Sequence, residues 1–475
     1  MDLIPKPDQI VAASANVAQK VLYGGLADLR PMPRTLIDDG TLREVYHYRP
    51  MGKVKVSGDP VLLVTPLAAP SLCFDLRRGC SLVEHFVSQG RPTYLVEYGE
   101  VSFKDRSLGM EHWVAEVIPE AIRQASRHAG GRPVHLMGWS LGGIFALLTS
   151  AAWDSLPIAS LTTVGSPIDV RQVPLIAPVR PLLGLVGDRA SAITMAYRVM
   201  GGVPKPLVRR AFQLSAFDKL VTKPFVQIAK LDDADFLAQV EAVDRFTDNM
   251  IAYPGRTFGQ LYHRMVRGNE LAAGQVHFEG RDISFRDITV PVLSFGGAGD
   301  TIAPVSCVRP IEDLVPNAPE MRFEVVPGGH LGMLTGRRAR GTTWRIMDEF
   351  IDKHSSDAAK PKPSARKAAA KKKATKKSAK KATKATKATT KSTGKPAKKS
   401  AAKSAKSSKP AKSSKPAKPA ASVQKEPRPA AAAGGSVPRN DQGEPIIGVN
   451  PNRRFSSASS RSLTTPAKPR GRDAG

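Results

Sequence analysis

Cysteine, aromatic residues and long apolar runs are all scarce in this chain of 475 residues. Three cysteines give no disulfide framework, which excludes a small disulfide-bonded secreted domain. No uninterrupted apolar stretch reaches the roughly 20 residues that a membrane-spanning helix needs. Asp2, Lys6 and Asp8 interrupt the start of the chain, so we expect no signal peptide. The expected location is the cytoplasm, and peripheral binding to a membrane, a lipid inclusion or the nucleoid stays open.

Acidic residues are almost absent from the last quarter of the chain. Residues 356–475 contain 32 Lys and Arg against 5 Asp and Glu, which gives +27 of the net charge of +29. They are rich in Lys, Ala, Ser, Thr and Pro, with short repeats at 381–389 and 407–418. Such a composition cannot bury enough apolar surface to offset its chain entropy. We therefore expect residues 356–475 to form a disordered basic tail.

This charge density predicts a polyanionic partner for the tail. Nucleic acid, bound through counterion release, and an anionic lipid surface are both compatible with it. Aromatic residues do not alternate with the lysines, so stacking on bases is not expected. In composition the tail resembles those of linker histones and some bacterial nucleoid proteins. A solubilising tail without a defined partner is the alternative.

A glycine-flanked serine lies between a predicted strand and a predicted helix. Residues 133–137 have the pattern of a short buried strand, and residues 143–150 that of the start of an apolar helix. Between them lies Gly138-Trp-Ser-Leu-Gly142. A glycine on each side of Ser140 lets the strand and the helix approach closely, so the serine can occupy a strained turn with its hydroxyl exposed. This context predicts a nucleophile elbow, with a serine at an ordinary tight turn as the alternative.

A serine hydroxyl reacts at neutral pH only with a base and a carboxylate that orients the base. Asp300 follows a predicted buried strand at 289–295, and His330 follows another at 322–326. Because the carboxyl ends of parallel strands meet at one edge of a sheet, we expect both side chains near the serine. The order Ser, Asp, His is that of α/β-hydrolases. We therefore predict an α/β fold with a mostly parallel sheet and helices on both faces.

Other residues compete for these roles. Asp169, after the predicted strand at 161–164, is the rival acid. His135 lies inside the elbow strand and His128 near a helix end, so packing or capping explains each of them better than catalysis.

Acyl transfer also needs donors for the developing oxyanion. The backbone N–H of Leu141, directly after the serine, is one predicted donor. The second should lie in the loop after the strand at 60–64, where Leu67 and Ala68 are the candidates because Pro66 has no N–H. This chemistry requires neither a metal nor an organic cofactor.

The chain resembles the poly(3-hydroxyalkanoate) synthase branch of the α/β-hydrolases over residues 45 to 352. The residues that carry the resemblance are Phe74-Asp-Leu-Arg77, Ser81-Leu-Val83, Arg267-Gly-Asn-Glu-Leu271 with Gly274, Asp300-Thr-Ile-Ala-Pro304 and Gly328-Gly-His-Leu-Gly332. The resemblance implies a nucleophile, an aspartate and a histidine at Ser140, Asp300 and His330.

The chain departs from that family at the nucleophile, which is a cysteine in the family and a serine here. A thiolate is more nucleophilic and a better leaving group than an alkoxide, so an acyl-serine suits transfer to water or an alcohol at least as well as chain growth. We expect Cys73, Cys80 and Cys307 to be small buried residues, because none of them lies in an elbow.

The sequence predicts four regions. An N-terminal helical extension covers 1–44, in which 10–26 could form an amphipathic helix, for which packing on the body is favoured over lying on a bilayer. The catalytic domain covers 45–355 and includes an inserted helical cap at 169–269. The disordered tail covers 356–475. The apolar segment 173–186 is broken by prolines, which is compatible with a hydrophobic lid or an ordinary cap core.

These features favour a serine acyl hydrolase or acyltransferase acting on apolar acyl esters or thioesters, acyl-CoA among them. A hydroxyalkanoate synthase or depolymerase is the first alternative. A non-catalytic granule- or nucleoid-associated protein that uses the basic tail is the second.

Overall fold

The computed structural model describes residues 6–174, 201–215, 217–278 and 280–356. Most of the apolar segment 173–186 and all but the first residue of the basic tail lie outside the described residues. Within them, no helix is both long and apolar enough to cross a bilayer.

An eight-stranded sheet forms the centre of the fold. Its strands are β1 (Arg34–Gly40), β2 (Arg43–Tyr48), β3 (Val61–Val64), β4 (Thr93–Glu97), β5 (Val134–Trp139), β6 (Ile158–Val164), β7 (Val292–Gly297) and β8 (Met321–Val326). They lie in the order β1-β2-β4-β3-β5-β6-β7-β8. Strand β2 is antiparallel to β1 and β4, and the pairs from β4 to β8 are parallel. The predicted mostly parallel sheet is confirmed.

Helices cover both faces of the sheet. The described α-helices are α1 (Pro7–Tyr23), α2 (Leu82–Ser88), α3 (Ile118–His128), α4 (Leu141–Ala152), α5 (Lys205–Ser215), α6 (Phe217–Ala229), α7 (Ala234–Asp248), α8 (Gly255–Gln260), α9 (Val305–Val308), α10 (Ile311–Leu314), α11 (Gly332–Thr335) and α12 (Thr343–His354). π-helical turns at His112–Val117 and Leu261–Gly268 adjoin α3 and α8.

The apolar core divides into two clusters. Side chains of α3 and α4, such as Ile122 and Phe145, belong to one cluster, and side chains of α2 and α12, such as Phe86 and Phe350, belong to the other. Strands β3 and β5 are buried along their whole length, since helices pack on both of their faces. This packing explains why they appear in the sequence as continuous apolar runs rather than as alternating ones.

The sheet begins earlier than the sequence predicted. Among the described residues of the expected helical extension 1–44, only 7–23 are α-helical, and Arg34–Gly40 is already a strand of the main sheet, so that boundary is wrong. Strand β1 is an edge strand with β2 as its single neighbour. Its half-exposed residues include two aspartates, so it lacks the apolar alternation that would have revealed a strand.

Helices α5 to α8 lie between β6 and β7, within the range predicted as a cap. Asp233 begins α7, and its carboxylate accepts a hydrogen bond from the N–H of Phe236. Short antiparallel pairs join Gly202–Val203 to Tyr253–Pro254 and Gln275–Phe278 to Arg281–Ser284.

Candidate active site

Ser140 occupies the sharp turn between β5 and α4. Its backbone has φ 53° and ψ −124°, a conformation that non-glycine residues rarely adopt. The turn is held on both sides. The Ser140 N–H donates to the Val164 carbonyl at 2.8 Å, and the Ser140 carbonyl accepts a hydrogen bond from the Ser166 hydroxyl at 2.9 Å. The predicted strand, strained serine and helix are therefore present.

The flanking glycines are required by close backbone contacts. A Cβ atom on Gly138 would lie 2.5 Å from the backbone nitrogen of Gly143. A Cβ atom on Gly142 would overlap the carbonyl oxygen of Val64, at the end of β3. The elbow thus brings the first turn of α4 against two neighbouring strand ends, and no larger residue fits at either position.

Asp300 and His330 form a buried pair on the loops after β7 and β8. Oδ2 of Asp300 accepts a hydrogen bond from Nδ1 of His330 at 2.7 Å, with side-chain exposures of 0% and 6%. Oδ1 of Asp300 accepts from the backbone N–H groups of Ile302 at 2.8 Å and Ala303 at 3.0 Å. Because an ionised carboxylate can only accept, the neutral imidazole carries its proton on Nδ1 and a lone pair on Nε2.

Nε2 of His330 is buried and has no hydrogen-bond partner among the described residues. The Ser140 hydroxyl therefore makes no hydrogen bond to it in this structure. Both residues nevertheless lie close to the segment Val164-Gly165. The carbonyl of Val164 accepts the Ser140 N–H, and a Cβ atom on Gly165 would lie 3.2 Å from Nδ1 of His330. The structure thus places the elbow and the Asp300–His330 pair at one edge of the sheet.

Trp139 links the elbow to the histidine directly. Its indole N–H donates to the backbone carbonyl of His330 at 3.0 Å, and the two ring centroids are 5.0 Å apart. Phe246 of the cap also contacts the indole, with ring centroids 5.9 Å apart. The sequence alone does not reveal this role of Trp139, because its partners Phe246 and His330 lie about one hundred and two hundred residues further along the chain. The position of Trp139 next to the predicted nucleophile was the only available signal.

The predicted oxyanion donors surround the same turn. Leu141 is the first residue of α4, and Leu67 and Ala68 are buried in the turn after β3. Within the described part of the chain, no acceptor contacts the backbone N–H of these three residues. The carbonyl of Ala68 accepts a hydrogen bond from the N–H of Ile251, which connects this turn to the cap. Their roles as donors stay predictions.

Asp169, the rival acid, forms its hydrogen bonds with residues other than His330. Asp169 accepts hydrogen bonds from the N–H of Arg171 at 3.1 Å and from the side-chain amide of Asn269 at 2.9 Å. The same Asn269 side chain accepts from the N–H of Val170, so it fixes the end of the cap to the loop after β6. The carboxylate that contacts His330 is therefore Asp300 and not Asp169.

The other histidines discussed above are also paired. His135 lies between the hydroxyls of Ser160, at 2.8 Å, and Ser355, at 3.0 Å, and burial lowers the pKa of its imidazole to about 4. His128 hydrogen-bonds to the phenol of Tyr94 at 2.9 Å. His135 is buried, whereas His128 is exposed at the end of α3 and packs on the rings of Tyr94 and His47.

All three cysteines are buried, as predicted. Burial raises the pKa of the Cys307 thiol to about 12 and raises the pKa values of the Cys73 and Cys80 thiols above their usual range. Since the thiolate is the reactive form, none of these thiols is prepared to act as a nucleophile.

Comparisons with known proteins find similarities in sequence and in fold. A curated relative from Allochromatium vinosum, a poly(3-hydroxyalkanoate) polymerase subunit PhaC, is 26% identical over 73% of this chain and 98% of its own length. A polymerase subunit of the same name from Haloferax mediterranei is 24% identical over 62% of this chain, and the match spans 59% of that relative's length. No protein-family profile matches the chain.

Among solved structures, a soluble variant of monoglyceride lipase from Saccharomyces cerevisiae superposes with a TM-score of 0.44 at 15% identity. That match covers 70% of this chain and 96% of the lipase. The strand order and the strand–turn–helix around Ser140 are those of the α/β-hydrolase fold. Within that class, the chain is similar to the poly(3-hydroxyalkanoate) polymerases.

Proposed function

We propose that this protein is a serine acyl hydrolase or acyltransferase that acts on apolar acyl esters or thioesters through an acyl-serine intermediate. The observation that carries the proposal is the buried Asp300–His330 hydrogen bond, beside a strained serine whose neighbour Trp139 packs on the imidazole.

In the proposed mechanism Nε2 of His330 takes the proton of the Ser140 hydroxyl as its oxygen attacks the acyl carbonyl. The backbone N–H groups of Leu141 and of Leu67 or Ala68 stabilise the oxyanion. The histidine then protonates the leaving alcohol or thiol, and Asp300 stabilises the imidazolium. Water or an acceptor hydroxyl, activated by the same histidine, finally releases the acyl group from the serine.

The apolar preference is supported by the surroundings of the elbow. Trp139, Phe246, Met250 and Met333 belong to one buried apolar cluster that joins the cap to the sheet edge. An acyl chain entering from this side would meet aromatic and thioether side chains, which bind apolar groups without specific hydrogen bonds.

A polymerase acting on hydroxyacyl thioesters is the second candidate, and the similarity to the PhaC polymerase subunits favours it. The nucleophile argues for the first candidate. An oxyester at Ser140 is a poorer acyl donor than a thioester for repeated chain transfer, and the buried cysteines supply no thiolate.

A single substrate panel separates the two candidates. Purified protein is offered p-nitrophenyl esters of graded chain length, acyl-CoA and 3-hydroxyacyl-CoA, and both free acid and polymer are measured. We expect hydrolysis or transfer that favours longer acyl chains. Ser140→Ala should abolish it, whereas Ser88→Ala, at an exposed serine of α2, should not. Polymer from 3-hydroxyacyl-CoA in the wild type would establish the second candidate instead.

A further inference from the structure

No hydrogen bond joins the proposed base to the proposed nucleophile. Nε2 of His330 has no partner among the described residues, so a bond to the Ser140 hydroxyl does not fix the distance between them. Asp300 holds the imidazole at Nδ1, at 2.7 Å. Proton transfer nevertheless requires the base to come within about 3 Å of the hydroxyl. Another contact must therefore determine where His330 lies relative to the elbow.

Trp139, the residue directly before Ser140, binds the backbone of His330. Its indole N–H donates to the His330 carbonyl at 3.0 Å, and among the described residues it is the one donor to that carbonyl. The neighbouring carbonyls of Gly329 and Leu331 instead accept from backbone N–H groups of the turn that follows. The His330 carbonyl makes no bond within that turn and binds the elbow strand instead.

The indole ring also packs against the imidazole. The two ring centroids are 5.0 Å apart, with the planes inclined by 44°. Trp139 is 1% exposed, so water does not compete for its N–H. Phe246 of the cap contacts the indole as well and restricts its rotation. His330 is thus held at its backbone and at its ring by the residue that is covalently joined to the nucleophile.

We infer that Trp139 is a positioning residue that sets the place of His330 relative to Ser140. The inference rests on the proposed function, in which Nε2 of His330 takes the serine proton. A displacement of about 1 Å in an active site can lower the rate about 100-fold. Loss of the indole N–H alone should therefore lower turnover and leave substrate binding unchanged. A residue that only filled the core would affect stability and not the imidazole.

The chain offers a matched control in Trp344. Its indole N–H donates to the backbone carbonyl of Leu334 at 2.7 Å, it is 3% exposed, and it belongs to the same apolar cluster as Trp139. Trp139→Phe and Trp344→Phe each remove one buried bond from an indole to a carbonyl and keep an aromatic ring. Their costs in stability should be similar, because each leaves one buried carbonyl unsatisfied. Only the first removes a bond to His330.

The first measurement follows the histidine itself and needs no substrate. In the full chain labelled with ¹⁵N-histidine, the Nδ1 proton shared with Asp300 gives an NMR signal that His330→Asn identifies by its absence. We expect this proton to exchange slowly with water in the wild type and in Trp344→Phe. In Trp139→Phe it should exchange at least about tenfold faster, because a histidine released from the elbow opens more often.

The second measurement separates turnover from binding. In Trp139→Phe, kcat for a p-nitrophenyl ester should fall about 100-fold with KM unchanged, whereas Trp344→Phe should change kcat only a few-fold. Benzothienylalanine incorporated at position 139 keeps the shape of the indole and replaces its N–H by sulfur. It should reproduce both the faster exchange and the lower kcat, including the case in which the phenylalanine variant does not fold.

Three results would overturn the inference. Unchanged exchange in the folded variants of position 139 would show that other contacts hold His330. A higher KM at constant kcat would assign the indole to binding of the acyl chain. A wild type without a slowly exchanging Nδ1 proton would remove the pair that Trp139 is inferred to hold. Failure of the proposed function is distinguishable from these, because a wild type without any ester hydrolysis would refute that function while the exchange rates still test the role of Trp139.

Discussion

Replacing Asp300 by asparagine should reverse the tautomer of the histidine. Oδ1 of Asp300 accepts two backbone hydrogen bonds, from Ile302 and Ala303. In the variant the amide oxygen must keep that position, because an amide NH₂ group cannot accept from these donors. The NH₂ group then takes the place of Oδ2 and faces Nδ1 of His330. Nδ1 must accept, so the proton moves to Nε2 and the lone pair toward Ser140 is lost.

The expected loss follows from this geometry. An imidazole with its proton on Nε2 cannot take a proton from serine, and no carboxylate remains to stabilise an imidazolium. Loss of the correct tautomer in a serine triad lowers kcat about 10⁴-fold, which corresponds to roughly 5 kcal/mol of transition-state stabilisation. The fold should survive, since the variant is nearly isosteric and keeps both backbone hydrogen bonds.

The assay is kcat for a p-nitrophenyl ester, with circular dichroism to verify folding. Asp169→Asn is the matched control, because Asp169 lies on the neighbouring loop and contacts Asn269 instead of the histidine. We expect it to change kcat only a few-fold. If folded Asp300→Asn kept more than a tenth of the wild-type kcat, the assignment of Asp300 as the orienting acid would be refuted.

Four further predictions concern the site, the core and the tail. Iodoacetamide should leave wild-type activity intact, because every native thiol is buried, but should inactivate Ser140→Cys. Gly165→Ala should lower kcat about 100-fold while the protein stays folded, since the added methyl would lie 3.2 Å from the imidazole of His330. Burial lowers the pKa of His135 to about 4 in the folded protein, so folding favours the neutral imidazole. The free energy of unfolding, measured with urea, should therefore be highest above pH 6.5 and decrease as the pH falls toward 4. That loss should be about 3 kcal/mol, and His135→Asn should remove it. Removal of residues 357–475 should abolish DNA binding, whose affinity in the full chain should fall about 10³-fold between 50 and 200 mM salt.

The elements of the site that depend on local chemistry could be predicted from the sequence. The glycines around Ser140 are required by contacts within the turn itself and with the adjacent strand. Asp300 follows a fully buried strand, and His330 follows the edge strand Met321–Val326, whose β-branched and aromatic residues still indicate a strand. Because parallel strands end at the same edge, their positions along the chain were sufficient to predict the contact between them.

Contacts that depend on tertiary packing could not be predicted in this way. Trp139 contacts His330 and Phe246 only because the fold brings three distant segments together. The amphipathic period of α1 predicted a helix, and it is one, but a period does not determine which side is buried. Helix α1 is attached to the body through polar contacts of Gln9 and Asn16, and its apolar residues Ile10, Val17 and Val21 are exposed.

The central claim is that the hydroxyl of Ser140 is a nucleophile activated by His330. The most direct measurement is reaction of the folded protein with a fluorophosphonate probe, followed by mass spectrometry of the peptides. We expect one phosphonylated residue, Ser140, and a strong decrease of labelling in His330→Ala. A folded, unlabelled wild-type protein, or labelling that persists in Ser140→Ala, would contradict the account.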